Sequence, residues 1–125
     1  MGLGYKGDTG HHHSITENLS SLRADYKYNN GYFGNPGHGR GYVREIESDE
    51  PAATAKDFYD KAAHGGIEKE MSNGKGVYTK MKDGTILSYR EVSSSDGSPA
   101  VEINIRQSND HGDIKYQKIH FTKGS

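Results

Sequence analysis

The sequence predicts an α+β fold in which an N-terminal helix packs on a four-stranded antiparallel β-sheet. One segment has helical apolar spacing, four later segments alternate apolar and polar residues, and short turn-forming stretches join those four. Only 30% of the 125 residues are hydrophobic and 17 are glycine, so we expect the core to involve only part of the chain. The sequence therefore divides into a loosely structured arm or linker, residues 1–40, and a helix-plus-sheet domain, residues 41–125.

The arm is rich in Gly, Asn, His and Tyr. One short helix is expected from Ser14, because "SITE" has the form of a capping box completed by Glu17. The following "NNGYFGNPGHGRG" is expected to hold no regular structure, and "HHH" at 11–13 is interpreted as a polar loop rather than a metal tract. We expect few buried contacts across residue 40, so that removal of the arm leaves the domain folded.

The segment "SDEPAATAKDFYDKAAHGG" predicts the main helix. Pro51 falls near its first turn, and Gly65 and Gly66 follow its end, which is the usual asymmetry of helix termini. Its apolar residues have the i, i+3, i+4, i+7 spacing of one helix face: Ala55, Phe58, Tyr59 and Ala62. This face should pack on the sheet.

The four predicted strands are 76–81, 85–92, 100–106 and 113–121. The connections "KDG", "SSSDGSP" and "SNDHG" are too short for anything but antiparallel neighbours. Alternation assigns one set of residues to the apolar face: Val77, Thr79, Leu87, Tyr89, Val101, Ile103, Ile105, Ile119 and Phe121. The opposite face receives the polar set: Tyr78, Lys80, Ser88, Arg90, Glu102, Asn104, Tyr116, Lys118 and His120.

The polar face has two interpretations, ordinary solvated cross-strand pairs or a site for metal-independent cleavage of RNA. For cleavage, His120 is the best acid or base, because imidazole titrates near working pH, and Glu102 is a second proton carrier. Because strand residues alternate sides, His120 should be solvent-accessible while Ile119 and Phe121 are buried. Arg90 and Lys118 suit a phosphate, with Arg as a planar fork and Lys as a point charge. Candidate RNA-binding residues surround them: Lys80, Tyr78, Ser88, Asn104, Tyr116 and, in the serine-rich turn, Ser95.

His64 also has two interpretations. It lies at the C-terminal end of the predicted helix, where the helix dipole favours a positive charge and a stabilising cap. Alternatively, the "HGG" turn brings it to the sheet edge as a second catalytic histidine. His38 and His111 lie in glycine-containing loops and are interpreted as loop residues without a role.

Composition excludes some classes of function. The chain has no cysteine, so it can form neither disulfides nor thiolate metal sites, and no apolar run approaches the roughly 20 residues needed to cross a bilayer. The net charge of −1 gives no bulk attraction for nucleic acid. Basic residues nevertheless recur along the predicted strands, which allows a local basic cleft: Lys80, Lys82, Arg90, Arg106, Lys115 and Lys118.

From Gly41 to Phe121 the chain resembles the C-terminal toxin domains of bacterial polymorphic toxins of the LXG, contact-dependent inhibition and wall-associated types. The resemblance rests on "KDFYDKAAHGG", "DGT", "YREVSSSDGSPAV" and "KIHF" in that order. It implies the fold that is similar among barnase, EndoU, the tRNA-cleaving colicins and RelE-like toxins, whose members are mostly metal-independent ribonucleases. Matching residues would be Arg90 in "YR", Lys118 and His120 in "KIHF", and His64 in "HGG".

The resemblance implies a toxin domain that is secreted within a larger protein, delivered to the cytoplasm of a target bacterium, and active on RNA, with tRNA as the expected substrate. It also implies a cognate immunity protein, which we expect to cover Arg90, Lys118 and His120. No metal or other cofactor is expected. The alternatives are a metal-dependent DNase, against which the single carboxylate on the predicted face argues, and a non-enzymatic module that binds a protein.

Overall fold

In the computed structural model, which describes residues 13–93 and 97–124, two helices cover one face of a mixed sheet. The elements in chain order are α1 (Ile15–Asp25), β1 (Tyr28–Asn29), β2 (Tyr32–Phe33), β3 (Asn35–Pro36), β4 (Val43–Glu47), α2 (Pro51–Ala62), β5 (Ile67–Glu70), β6 (Val77–Lys80), β7 (Ile86–Arg90), β8 (Ala100–Asn104) and β9 (Gln117–Thr122). The short strands β1 and β2 form a separate hairpin, and the other seven form the main sheet. In this part of the chain, neither helix has the length and apolar character of a membrane span.

The main sheet has the strand order β3-β4-β9-β8-β7-β6-β5. After β4, helix α2 crosses the sheet to the far edge, where β5 begins an antiparallel meander that returns strand by strand to β9. Strand β9 therefore ends beside β4 and runs parallel to it, while every other neighbouring pair in the sheet is antiparallel. This return path brings β4, from the first half of the chain, next to the last strand.

The α+β class is confirmed, but the sheet is larger than the predicted four strands. The four predicted segments correspond to β6, β7, β8 and β9. The missed strands lack a clean two-residue alternation: β5 exposes three consecutive residues at the sheet edge, every residue of β4 is at least partly accessible, and β3 has only two residues. Alternation marks a strand only where one of its faces is buried and the other is not.

Helix α1 begins as predicted, with a capping box in which the Ser14 amide donates to Glu17 Oε2 at 2.9 Å. The expectation of a loose arm is wrong for the described residues up to 40. Ile15, Leu22 and Phe33 are fully buried in the same hydrophobic core as the sheet. The Phe33 ring lies 5.0 Å from that of Phe58 on α2, so residues on both sides of position 40 share one core.

The stretch "NNGYF" forms a hairpin despite its glycine. Asn30 and Gly31 connect β1 to β2, and both have positive φ, at 54° and 87°. A two-residue Asn-Gly turn of this kind matches the twist of paired strands, which is why it overrides the low strand propensity around it. The glycine-rich segment therefore contains regular structure where none was expected.

The predicted core is confirmed. All four residues of the predicted α2 face are buried: Ala55, Phe58, Tyr59 and Ala62. On the sheet, Thr79, Leu87, Val101, Ile103, Ile119 and Phe121 are buried, and Val77, Tyr89 and Ile105 are partly buried against the same core. The helices and these core residues thus lie on one side of the sheet, and the polar strand residues that alternate with them lie on the other.

Candidate functional site

Polar side chains form two cross-strand rows on the sheet face opposite the helices, which we call the open face. The first row crosses β9, β8, β7 and β6 through Lys118, Glu102, Ser88 and Tyr78. The second crosses β4, β9, β8 and β7 through Glu45, His120, Ala100 and Arg90. Because neighbouring strands lie about 4.8 Å apart, each row brings residues distant in sequence within reach of one small ligand.

Ala100 opens a depression in the middle of these rows. It lies between His120 and Arg90 in the second row, and its methyl group leaves room that a larger side chain would fill. The depression has a volume of about 170 Å³ and is lined by Met71, Ser88, Arg90, Ala100, Glu102 and Lys118. We call it the central depression.

Two cations and one carboxylate line the central depression. The ion pairs found among the described residues involve other lysines and His13, and they include neither Arg90 nor Lys118. Arg90 and Lys118 therefore direct positive charge at this depression without a carboxylate partner in the described part of the chain. Guanidinium and ammonium groups placed in this way favour an anion such as a phosphate.

Glu102 is held by a tyrosine. The Tyr116 hydroxyl donates a hydrogen bond to Glu102 Oε2, and the Arg106 guanidinium lies 5.2 Å from the centroid of the Tyr116 ring. Burial, and then the hydrogen bond to Glu102, raise the pKa of Tyr116 to about 12. The phenol consequently remains a neutral donor at physiological pH and fixes one oxygen of the carboxylate.

His120 lies on the predicted face but is less accessible than predicted. Alternation does place it on the side opposite Ile119 and Phe121, yet only 8% of its surface is exposed. The segment that leads into β8 packs against it, and Ser98 Oγ is 2.9 Å from His120 Nδ1. The expectation of a solvent-accessible imidazole is therefore wrong, because a connecting segment covers part of the open face and orients the ring.

A second depression adjoins His120 and contains residues that the sequence analysis missed. It has a volume of about 360 Å³, and its lining includes Tyr42, Glu45, His38, Lys118 and His120. Glu45 is the direct neighbour of His120 across the parallel β4–β9 pair. Only the "VREIE" segment signals β4, and its pairing with β9 depends on the whole topology, so local patterns did not identify these residues.

The remaining predicted residues are more scattered. Lys80 is exposed on β6 opposite Ile86, and Asn104 Oδ1 accepts the Arg106 amide at 3.0 Å. His64 is exposed beyond the end of α2, on the helix side, where its ring lies 4.9 Å from that of His13. The structure therefore does not bring His64 to the open face with His120. Ser95 lies outside the described residues.

Among residues 13–93 and 97–124, no group of three or more His, Asp or Glu side chains is arranged to hold a metal ion. The open face instead combines a histidine, a carboxylate held by a tyrosine, and two cations. No protein-family model, curated protein or solved structure matches this chain.

Proposed function

We propose that the protein is a metal-independent endoribonuclease with its catalytic centre on the open face. The observation that carries this proposal is the arrangement of His120, Glu102, Arg90 and Lys118 around the small side chain of Ala100. Glu102, Arg90 and Lys118 line the central depression, and His120 lines the adjoining one. Together they supply the proton carriers and cations that phosphodiester cleavage by the neighbouring 2′-hydroxyl requires.

In the proposed reaction the 2′-oxygen of the substrate attacks the adjacent phosphorus, and the bond from phosphorus to the 5′-oxygen breaks. A base removes the 2′-hydroxyl proton, and an acid protonates the departing 5′-oxygen. The products are a 2′,3′-cyclic phosphate and a free 5′-hydroxyl. Negative charge builds on the non-bridging oxygens during the reaction, so nearby cations stabilise the transition state more than the ground state.

The register suggests how the roles are divided. His120 and Glu102 lie diagonally on the adjacent strands β9 and β8, and such diagonal neighbours are about 7–8 Å apart, which leaves room for a phosphate between them. Tyr116 binds Oε2 of Glu102, so we assign Glu102 Oε1 as the acceptor of the 2′-proton. His120 is the proton donor to the 5′-oxygen, and Arg90 and Lys118 bind the non-bridging oxygens.

The toxin-domain resemblance supplies the proposed biological setting. The domain is delivered into the cytoplasm of a competitor within a larger secreted protein and cleaves tRNA there. In the producing cell an immunity protein inhibits it by burying Arg90, Lys118 and His120 against carboxylates. Charge complementarity of this kind also accelerates association, which suits an inhibitor that must act before the toxin does.

Cleavage of total bacterial RNA in excess chelator tests the proposal. We expect cleavage to persist, tRNA fragments to accumulate, and the new 3′ ends to carry 2′,3′-cyclic phosphates. Arg90→Ala should lower the rate by about 10²-fold, while Arg23→Ala, which changes an exposed arginine on the helix side, should leave it unchanged. Loss of cleavage on chelation would instead indicate a metal-dependent nuclease, and absence of cleavage under all conditions would indicate a binding module.

A further inference from the structure

A second basic surface lies beside the β1–β2 hairpin. It is a depression of about 690 Å³ whose lining includes three cations, Lys27, Arg44 and Lys115, together with Tyr32. One carboxylate, Asp113, also lines it and accepts a hydrogen bond from the Tyr28 hydroxyl at 2.7 Å. The cations therefore outnumber the carboxylate at this surface, which we call the hairpin depression, although the protein as a whole is nearly neutral.

Two cations of the hairpin depression lie against an aromatic ring. The Arg44 guanidinium is 4.8 Å from the centroid of the Tyr32 ring, and Lys115 Nζ is 5.4 Å from it. Arg44 is fixed there because its Nε donates to the Phe33 carbonyl at 3.1 Å and its Nη2 donates to the Gly34 carbonyl at 2.9 Å. This combination of cations and a partly accessible ring suits phosphates and bases together.

Gln117, the first residue of β9, attaches the β1–β2 hairpin to that strand. Its fully buried amide donates to the Gly31 carbonyl at 2.9 Å and the Lys115 carbonyl at 2.7 Å, and its oxygen accepts the Phe33 amide at 2.8 Å. A Cβ at Gly31 would lie 2.4 Å from the Asp113 carbonyl oxygen, so the turn packs directly against the segment before β9. Gln117 immediately precedes Lys118 on β9. Its hydrogen bonds to the hairpin therefore hold the hairpin depression at a fixed position relative to the open face.

Arg44 connects the two surfaces. It lines the hairpin depression and also the depression that contains Lys118 and His120. Its partner across the β4–β9 pair is Ile119, so its side chain lies on the helix side, and a ligand that extends from His120 would reach its guanidinium by passing around the β3–β4 edge of the sheet. Cationic surfaces that follow one another in this way guide the backbone of single-stranded nucleic acids.

We propose that the hairpin depression binds a single-stranded segment of the substrate RNA adjacent to the cleaved phosphate. Lys27 and Lys115 contact phosphates, and a base packs against Tyr32 and Arg44. This inference rests on the proposed ribonuclease function and extends it from the reaction centre to substrate recognition. An acidic protein would use the cations alone, whereas Tyr32 and the side-chain amides of Asn29 and Asn30 in the same lining favour RNA.

The test measures binding of a labelled 2′-O-methyl RNA of about twelve nucleotides, which occupies the site but lacks the attacking hydroxyl. The double variant Lys27→Ala/Lys115→Ala should bind it roughly tenfold more weakly at low salt, and the slope of log K against log salt should shrink by about 1.4. The control double variant Lys56→Ala/Lys75→Ala removes two exposed lysines that line neither the hairpin depression nor the depressions of the open face, and it should bind like the wild type. Cleavage of an unmodified RNA dinucleotide should be the same in all three proteins.

Equal binding by the wild type and Lys27→Ala/Lys115→Ala would overturn this inference, while cleavage of the dinucleotide would still support the proposed function. Binding that depends on the two lysines, in a protein that cleaves no RNA, would overturn the proposed function and leave only an RNA-binding surface. Displacement of the RNA by polyglutamate at equal charge concentration would identify a site for an acidic protein and would overturn the assignment to RNA.

Discussion

Ala100 determines how much space separates the groups of the open face. Its neighbours across the strands are His120 and Arg90, and it is nearly buried, with 4% of its surface exposed. The sequence pattern gives no sign of its importance, because alanine carries no reactive group. Its effect on the site comes from the room it leaves.

Ala100→Leu tests the importance of that room. The added carbons enter the central depression rather than the core, so we expect kcat/KM for RNA to fall by about 10²-fold and the unfolding free energy to change by less than about 1 kcal/mol. Ala100→Ser, which adds a single oxygen, should retain most of the activity. Steady-state kinetics and urea unfolding check both variants, and an Ala100→Leu enzyme with wild-type kinetics would place the reaction elsewhere.

At the scale of elements, the sequence predicted those structures that depend on local pattern. Helix α2, with its buried Phe58 and Tyr59, and strands β6 to β9 follow from periodicity alone. The parallel pairing of β4 with β9 joins segments far apart in sequence, and no local pattern indicates it. For the same reason Arg90, Glu102, Lys118 and His120 were assigned to one face correctly, whereas Glu45, which reaches His120 only through that pairing, was missed.

The arm belongs to the core although it is rich in glycine, because its few large apolar residues are buried. Its glycine content alone predicted a loose segment. Ile15, Leu22 and Phe33 are each fully buried in the shared core. Phe33 and Phe121 both contact Phe58, with ring centroids 5.0 Å and 5.8 Å from it. Phe33 therefore has the same kind of place in the core as a residue of the central sheet.

We accordingly expect the arm to be required for folding. Deletion of residues 1–36 should abolish the cooperative thermal transition, since loss of three large buried side chains at about 2–5 kcal/mol each rivals the total stability of a small domain. Phe33→Ala and Phe121→Ala should each cost about 3–5 kcal/mol. Differential scanning calorimetry provides the comparison, and a deletion variant that still unfolds cooperatively would contradict the shared core.

At the scale of the whole molecule, a net charge of −1 conceals an uneven distribution of charge over the surface. The helix side of the sheet holds the core and its lysines in ion pairs, such as Lys56 with Asp60 and Lys61 with Asp57. The open face and the hairpin depression hold Arg90, Lys118 and Arg44 directed at concave surfaces. The net charge is therefore a poor guide to whether this protein binds a polyanion.

The two sides of the sheet also separate two histidines, His120 and His64, which the resemblance to toxin domains gives as matching residues. His120 belongs to the open face beside Glu45 and Ala100, whereas His64 follows the end of α2 on the helix side, near His13. If the open face is the catalytic centre, only one of these histidines takes part in the chemistry. Replacement of each in turn distinguishes a site on the open face from one at the helix end.

The most direct test is the single-turnover rate of RNA cleavage, in excess chelator, by His120→Ala and His64→Ala, each corrected for its folded fraction. Because His120 is largely buried, His120→Asn serves as a second variant that keeps a polar group beside Ser98. We expect both His120 variants to be slower by about 10² to 10⁴ and His64→Ala to match the wild type. Folded His120 variants that cleave RNA at the wild-type rate, or a loss in His64→Ala as large as theirs, would contradict a catalytic centre on the open face.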